Sequence, residues 1–313
     1  MKIDDNASIA HALGDADRER VAVMRQQVAP FKGKMGDPSA RGAFDEVMEH
    51  TPAAADVAYE DAEVGGVAGV RCVPRDARAG AAILYLHGGA YLLGSARAYR
   101  HFVGQFAART STTAFIADYR LAPEHAFPAA VDDAQAAYRG LVEEGARKIV
   151  IIGDSAGGGL TLVTLALVQS EASAGKGLAP SGALVMSPWT DLALTGASLR
   201  DRADEDPLLT TEMLAKARVS YLRDHDPSDP RASPLYGSLV GLPRIQLHVG
   251  ASEILLDDTR RYAEKARAAG VDATAHVWDG MTHVFPSSVG MLDAADRAFA
   301  IMTNFVTEIL GAP

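Results

Sequence analysis

Apolar runs, each as long as a buried strand, alternate with amphipathic segments along most of the chain. This alternation limits the possible fold more than any other feature of the sequence. Six runs typical of parallel strands lie at residues 81–88, 112–119, 148–154, 181–187, 244–250 and 272–278. Apolar residues at helical spacing lie between or after them, at 96–109, 128–145, 156–171, 257–269 and 291–310. Parallel strands need such crossover helices, so the pattern predicts an α/β fold with helices on both faces of the sheet.

Two further strand-like runs precede this series. They are DVAYEDAEV and GVAGVRCV, which meet at Gly65 and Gly66. Two such runs joined by glycines are typical of a hairpin, so they predict an antiparallel start to the sheet. Together with the six later runs they predict a mostly parallel sheet of eight strands.

Charge and cysteine content exclude several classes of function. The chain has 313 residues and a net charge of −10, which repels phosphate backbones, so nucleic acid is not an expected partner. The single cysteine, Cys72, leaves no internal disulfide and no cysteine-based zinc site, and we expect it to be a small apolar strand residue. No apolar run is long enough to span a membrane and no secretory leader is evident, so we expect a cytoplasmic protein without a membrane span.

Two segments do not follow the alternation. Residues 190–240 contain an acidic turn, a helix-like stretch and a proline-rich stretch, and are predicted to be an insertion between two strands. Residues 1–50 carry apolar residues at a spacing that predicts one or two amphipathic helices. These helices cannot form a core alone and must pack on the rest of the chain.

A G-x-S-x-G pattern lies between a predicted strand and a predicted helix, as Gly153, Ser155 and Gly157. In this context the pattern is typical of a nucleophile elbow, which exposes the serine hydroxyl above the sheet. A phosphate loop would need a lysine before its Ser or Thr, whereas Leu160 precedes Thr161. The glycine pattern of a dinucleotide-binding turn, G-x-G-x-x-G, does not match this segment in register. A plain tight turn remains open on these five residues alone.

The motif HGGA, residues 87–90, follows an earlier predicted strand. Acyl transfer through a tetrahedral intermediate needs N–H donors where the negative oxygen develops, and the loss of one donor raises the barrier by about 2.7–4 kcal/mol. Adjacent glycines have no side chains, so their backbone N–H groups can come within hydrogen-bonding distance of this oxygen. Gly88 and Gly89, with the N–H of Ala156, are therefore the predicted oxyanion-hole donors.

A serine nucleophile needs an imidazole base and a carboxylate that orients the base, and in this architecture both follow the serine. Four histidines follow Ser155, namely His225, His248, His276 and His283. His283 lies in a loop just past a strand and is the predicted base, whereas His248 and His276 lie within strands and are predicted to be structural. Glu253, just past the previous strand, is the predicted acid; Asp257 and Asp258 fit the first turn of a helix better.

Four segments together resemble the bacterial hormone-sensitive-lipase family of α/β-hydrolases. They are HGGAYLLGS, DYRLAPEHAFPAAVDD, GDSAGGG and GMTHVF, in the family order, and the resemblance covers residues 57–310. It implies an α/β-hydrolase fold with a helical cap, and a serine carboxylesterase that cleaves esters of short to medium acyl chain without cofactor or metal. It makes Ser155 the nucleophile and His283 the base. The chain departs from the family at Ala90, in place of a third glycine, and at Glu253, in place of the usual aspartate.

The resemblance also implies an organisation into core and cap. Residues 1–50 and 190–240 would form one cap, and residues 51–189 and 241–313 the two parts of the hydrolase core. The predicted substrate-pocket residues are Tyr91, Asp154, Met24, Phe31 and Met35. A homodimer through a sheet edge is implied by the same resemblance. Amidase, lactonase and a non-catalytic receptor of the same fold remain alternatives, the receptor being disfavoured by the presence of His283.

Overall fold

The computed structural model describes residues 8–34 and 36–311, in which the chain forms a single nine-stranded sheet. The strands are β1 (Ser8–His11), β2 (Val57–Val64), β3 (Val67–Pro74), β4 (Ala81–Leu86), β5 (Thr113–Ala117), β6 (Lys148–Asp154), β7 (Gly182–Met186), β8 (Ile245–Gly250) and β9 (Ala273–Trp278). Their spatial order is β1-β9-β8-β7-β6-β4-β5-β3-β2. β3 is antiparallel to β2 and β5, and all other neighbours are parallel. The α/β class and the antiparallel start are confirmed.

Helices cover both faces of the sheet, close to the predicted positions. They are α1 (Asp15–Val28), α2 (Arg41–Met48), α3 (Ala96–Thr110), α4 (Ala129–Glu143), α5 (Ser155–Ser173), α6 (Ser198–Asp201), α7 (Thr211–Leu222), α8 (Leu256–Ala268) and α9 (Asp293–Leu310). α3 and α9 pack on one face, and α4, α5 and α8 on the other. Within the described ranges, no helix combines the length and the apolar character needed to cross a membrane.

Each face of the sheet has its own apolar core, because successive strand residues point to opposite sides. In β6, Ile149 and Ile151 belong to the core under α4, α5 and α8. Val150 and Ile152 of the same strand belong to the core under α3 and α9. This burial on both sides explains why the central strands are apolar without a break.

The count of eight strands is corrected by β1, a ninth strand from a segment predicted to be helical. β1 pairs in parallel with β9, from Ser8 opposite Ala275 to His11 opposite Trp278. The His11 ring stacks on Trp278 with centroids 3.9 Å apart, and its Nε2 lies 2.9 Å from Nδ1 of His276. These contacts join residues far apart in the sequence, so no local pattern could reveal them.

The two edges of the sheet are poor surfaces for strand pairing. β1 is only four residues long, and β2 carries the exposed acidic side chains of Glu60, Asp61 and Glu63. Short or charged edge strands are typical ways in which proteins avoid edge-to-edge association. A homodimer through a sheet edge stays a prediction.

The insertion at 190–240 contacts the N-terminal segment directly. The Gly33 N–H donates to the carbonyl of Leu208 at 2.9 Å, and Lys32 Nζ donates to the carbonyl of Ala203 at 2.6 Å. The two segments that interrupt the alternating pattern thus touch each other, although they are more than 150 residues apart in the sequence.

Candidate active site

Ser155 is the first residue of α5 and directly follows β6. Its φ of +53° is unusual for a residue with a side chain and marks a sharp, strained turn. A Cβ on Gly157 would lie 2.1 Å from the carbonyl oxygen of Leu86, and one on Gly153 would lie 2.4 Å from that of Gly157. Only glycine fits at these two positions, so the G-x-S-x-G pattern is the tight turn that presents the Ser155 side chain.

The predicted serine, histidine and acid form one hydrogen-bonded chain. Nε2 of His283 lies 2.9 Å from Oγ of Ser155, and Nδ1 of His283 lies 2.7 Å from Oε2 of Glu253. The Glu253 carboxylate is fully buried. A carboxylate at Nδ1 fixes the ring tautomer that leaves Nε2 free to accept the serine proton.

The surroundings of His283 favour its protonated form. Burial, the largest single effect, lowers the pKa of His283, but the charge and hydrogen bond of Glu253 and the charges of two further carboxylates together raise that pKa above its ordinary value. Asp206 and Asp154 act in the same direction from farther away. The site can therefore stabilise an imidazolium that forms when Ser155 loses its proton.

Ser187, at the end of β7, holds both the acid and the loop of the base. Its hydroxyl donates to Oε1 of Glu253 at 2.7 Å and accepts the Val284 N–H at 3.0 Å. The Gly250 N–H donates to the same Glu253 oxygen at 2.7 Å. No sequence motif singles out Ser187. The available signal was its position directly after a strand, because the carboxyl ends of parallel strands share one edge of the sheet.

The alternative acids contact other groups. Asp257 accepts the Ser198 N–H at 2.9 Å, and Asp258 accepts the N–H groups of Thr190 and Asp191 at 2.8 and 2.9 Å. Both carboxylates therefore form hydrogen bonds with backbone groups in the first ten residues of the insertion. Of these three candidates, the structure brings only Glu253 to His283.

The loop after β4 corrects one predicted oxyanion-hole donor. The Gly88 N–H donates to Oδ1 of Asp154 at 3.0 Å, so this amide is occupied. Gly89 and Ala90 have φ values of +110° and +55°, and within the described ranges neither N–H has a hydrogen-bond acceptor. The Ala156 N–H is in the first turn of α5, where helices lack internal acceptors. The N–H groups available as donors are those of Gly89, Ala90 and Ala156, and Ala90 adopts a left-handed backbone conformation that favours glycine.

Asp154 supports this loop and does not line a substrate pocket, so its predicted role is wrong. It is 1% exposed and accepts the hydroxyl groups of Tyr85 at 2.8 Å and Tyr99 at 3.0 Å. Burial raises the pKa of its carboxyl group, opposed by these hydrogen bonds. The acceptor role toward Gly88 fixes the position of the loop above the sheet.

The predicted pocket role of Tyr91 is also wrong. Tyr91 is 1% exposed, and its ring is stacked on that of Tyr221 in α7, with centroids 3.8 Å apart and planes within 2°. This pair joins the insertion to the loop after β4. The ring is therefore part of the packing behind the loop.

The three predicted pocket residues of the N-terminal segment have different positions. Met24 lines a groove of about 890 Å³ between α1, α2 and residues 287–292, and neither Ser155 nor His283 is among the residues that line it. Phe31 is 53% exposed and does not line that groove. Met35 lies outside the described residues.

The long motif at 118–133 supports the same loop. The Tyr119 hydroxyl donates to the His87 carbonyl at 2.7 Å, and the two rings stack with centroids 4.4 Å apart. Arg120 forms an ion pair with Asp133, and Glu124 forms one with Arg41 of α2. Within the described part of the chain, no three His, Cys, Asp or Glu side chains are grouped as metal ligands would be.

Comparison with known proteins agrees with this geometry. Residues 83–287 match the model of a family with the alpha/beta hydrolase fold. An acetyl-hydrolase of Streptomyces hygroscopicus is 39% identical over 74% of this chain and 77% of its own length. An esterase of Acinetobacter venetianus is 35% identical over 90% of this chain and 92% of its own.

Solved structures of related proteins match the fold of almost the whole chain. A crystal structure of an esterase from the bacterial hormone-sensitive lipase family has a TM-score of 0.86, is 35% identical, and covers 96% of this chain and 100% of its own. That of EstE7, a homologue of hormone-sensitive lipase from a metagenome library, has a TM-score of 0.85 at 34% identity, over 94% of this chain and 98% of its own. The chain therefore belongs to the bacterial hormone-sensitive-lipase family of α/β-hydrolases and is a carboxylesterase.

Proposed function

We propose that this esterase acts through an acyl-enzyme formed on Ser155. The observation that carries the proposal is the hydrogen-bonded chain from Ser155 through His283 to Glu253, with lengths of 2.9 and 2.7 Å. His283 Nε2 takes the proton of the Ser155 hydroxyl as Oγ attacks the ester carbonyl carbon. Glu253 keeps the ring in the required tautomer and offsets the positive charge that develops on it.

Each half of the reaction uses the same groups. The first tetrahedral intermediate collapses when the C–O bond to the alcohol breaks and His283 donates its proton to the departing oxygen. Water then attacks the acyl carbon while His283 accepts a proton, and Ser155 leaves with that proton. In both intermediates the negative oxygen accepts hydrogen bonds from the N–H groups of Gly89, Ala90 and Ala156. The backbone that carries these groups is already held in place.

The preferred substrates are esters of small alcohols with short to medium acyl chains. Two relatives are named for acetyl substrates, the acetyl-hydrolase of Streptomyces hygroscopicus and the ethyl acetate hydrolase of Pseudomonas putida. The groove beside Met24 offers an apolar surface for longer chains, formed by Val23, Met24, Val47, Met48, Met291 and Leu292.

The N-terminal helices and the insertion act as one cap over the hydrolase core. Their mutual hydrogen bonds, from Gly33 to Leu208 and from Lys32 to Ala203, support this assignment. Because β1 belongs to the sheet, the N-terminal contribution to the cap begins after it, at α1. The cap would supply the apolar walls that exclude water from the acyl chain.

The decisive experiment is p-nitrophenyl butyrate hydrolysis by the purified protein and by Ser155→Ala. We expect the variant to lose at least about 10⁴-fold in kcat, and the wild type to show a burst of p-nitrophenol equal to the enzyme concentration. Ser173→Ala, an exposed serine at the end of the same helix, is the control and should keep full activity. Unchanged hydrolysis by Ser155→Ala would rule the mechanism out.

The same preparation distinguishes esterase from amidase or lactonase. Rates on a matched butyryl ester and butyryl anilide, with γ-butyrolactone as a third substrate, compare the leaving groups directly. We expect the ester to be cleaved fastest. A receptor without activity would cleave none of the three.

A further inference from the structure

The turn that carries Glu253 is bound on one side by the insertion. Residues 251–255 connect β8 to α8, and the sheet side of this turn is held by Ser187 and Gly250, as described above. On the other side, the residue after Glu253 has both its backbone polar groups bonded to the insertion. The Ile254 N–H donates to Oδ2 of Asp206 at 3.0 Å, and the Ile254 carbonyl accepts the Ser198 hydroxyl at 2.6 Å.

Asp206 is a fully buried carboxylate. Its Oδ1 accepts the N–H groups of Leu208 and Leu209 at 2.9 and 2.8 Å, in addition to the Ile254 bond on Oδ2. No Lys, Arg or His forms an ion pair with it among the residues that the structure describes. Three backbone N–H groups, one of them from the residue after Glu253, therefore hold a buried carboxylate that has no cation beside it.

The charge of Asp206 acts on His283. Glu253 contacts this imidazole directly, and the charges of Asp206 from the insertion and Asp154 from the end of β6 also raise the pKa of His283. Asp154 is engaged with the loop after β4. Of these three carboxylates, the insertion contributes Asp206.

We propose that Asp206 is a positioning residue of the esterase reaction: it orients Glu253 through the Ile254 N–H and adds a second buried negative charge that stabilises the His283 imidazolium. The insertion then does more than cover the substrate, because it completes the support of the acid. This inference rests on the proposed roles of Glu253 and His283.

The test compares Asp206→Asn with wild type over the pH profile of kcat/KM. The asparagine oxygen can still accept from Leu208 and Leu209, whereas its NH₂ group faces the Ile254 N–H and the charge is gone. We expect kcat to fall about 10- to 100-fold with KM within about threefold, because the acid is displaced. We also expect a shift of the acid limb, the part of the profile in which kcat/KM falls as the pH drops. It should move to lower pH by at least about 0.3 unit, because a negative charge near His283 is lost.

Three further variants make the result specific. Asp204→Asn removes an equal charge from an exposed position in the same turn and should match the wild type. Ser198→Ala removes the other bond to Ile254 without a charge, so it should lower kcat without moving the acid limb. Asp206→Ser replaces Asp206→Asn if the latter does not fold, since its hydroxyl can accept from Leu208 and Leu209, and the same shift of the limb is expected.

An acid limb that stays at the wild-type pH in the folded Asp206 variant overturns the inference, whatever happens to kcat. Failure of the proposed mechanism is recognised separately, because it would appear as retained activity in Ser155→Ala. If Ser155→Ala is inactive and the limb of Asp206→Asn does not move, only the role of Asp206 is wrong.

Discussion

Ser187 donates its hydroxyl to Glu253 at 2.7 Å while the same oxygen accepts the N–H that follows His283. One small side chain thus ties the acid to the loop of the base. Both of its partners are buried, so the loss of the hydroxyl would leave two polar groups without a bond.

We therefore predict that Ser187→Ala destabilises the protein by about 1–3 kcal/mol and lowers kcat about tenfold or more with little change in KM. Urea unfolding and steady-state kinetics on p-nitrophenyl butyrate measure the two effects. Ser173→Ala, at an exposed position, is the matched control. Wild-type values of both quantities in Ser187→Ala would show that this hydroxyl has no such role.

Glu253→Gln should lower kcat by about 10³- to 10⁴-fold, because an amide at Nδ1 can favour the wrong tautomer of His283 and offers it no charge. Asp257→Asn should lower kcat less than about tenfold, since its carboxylate contacts Ser198 and not the imidazole. The reverse order of the two variants would assign the acid to Asp257.

The acid limb of kcat/KM should lie above pH 6.5. The pKa of His283 is raised because the charge and hydrogen bond of Glu253, together with the charges of Asp206 and Asp154, outweigh the effect of burial. The imidazole must be neutral to act as a base. Activity should therefore be full at pH values above this pKa and fall as the pH drops through it. A pH profile with several buffers at constant ionic strength is sufficient, and a limb below pH 6 would contradict the expectation.

Met24→Trp should narrow the groove of about 890 Å³ and shift the acyl preference toward shorter chains. We expect the ratio of kcat/KM for p-nitrophenyl octanoate to that for the acetate to fall about tenfold. Val240→Trp, at a position that is 75% exposed and away from the groove, should leave the ratio unchanged. An unaltered ratio in Met24→Trp would mean that acyl chains bind elsewhere.

Stability should decline in mildly acidic solution because of two buried histidines. Burial, aided by His11, lowers the pKa of His276 to about 4, and burial also lowers that of His248. Between pH 6.5 and about 4 the unfolded chain binds protons that the folded chain does not, so the free energy of unfolding falls as the pH drops through this window.

For His276 the loss is up to about 1.4 kcal/mol per pH unit. His276→Gln should flatten this dependence in urea unfolding measured at pH 7.5 and pH 5, whereas His225→Gln, at an exposed position, should not. A pH dependence equal to that of the wild type in His276→Gln would refute the assignment.

Local patterns in the sequence predict the strands β2 to β9, the helices that cover them, and the three side chains that form the hydrogen-bonded chain. Ser155 was recognisable because a strand, a tight glycine turn and a helix follow one another, and His283 because it lies just past a strand end after the serine. Glu253 could be preferred over Asp257 by its place between strand and helix. Only the hydrogen bond to His283 distinguishes them physically.

The parts that escaped prediction depend on distant partners. β1 exists because Ser8–His11 pairs with β9 and stacks on Trp278. The occupied amide of Gly88 depends on Asp154, which Tyr85 and Tyr99 hold from a neighbouring strand and a helix. No pattern along the chain encodes which amide of a glycine loop such a carboxylate will take.

The stacked pair of Tyr91 and Tyr221 limits how this esterase can be recombined with its relatives. One ring belongs to the loop after β4 and the other to the insertion, so a chimera that loses Tyr221 with residues 190–240 would leave the buried Tyr91 ring without its stacking partner. An exchange of the insertion should therefore keep an aromatic residue at position 221, or change Tyr91 together with it.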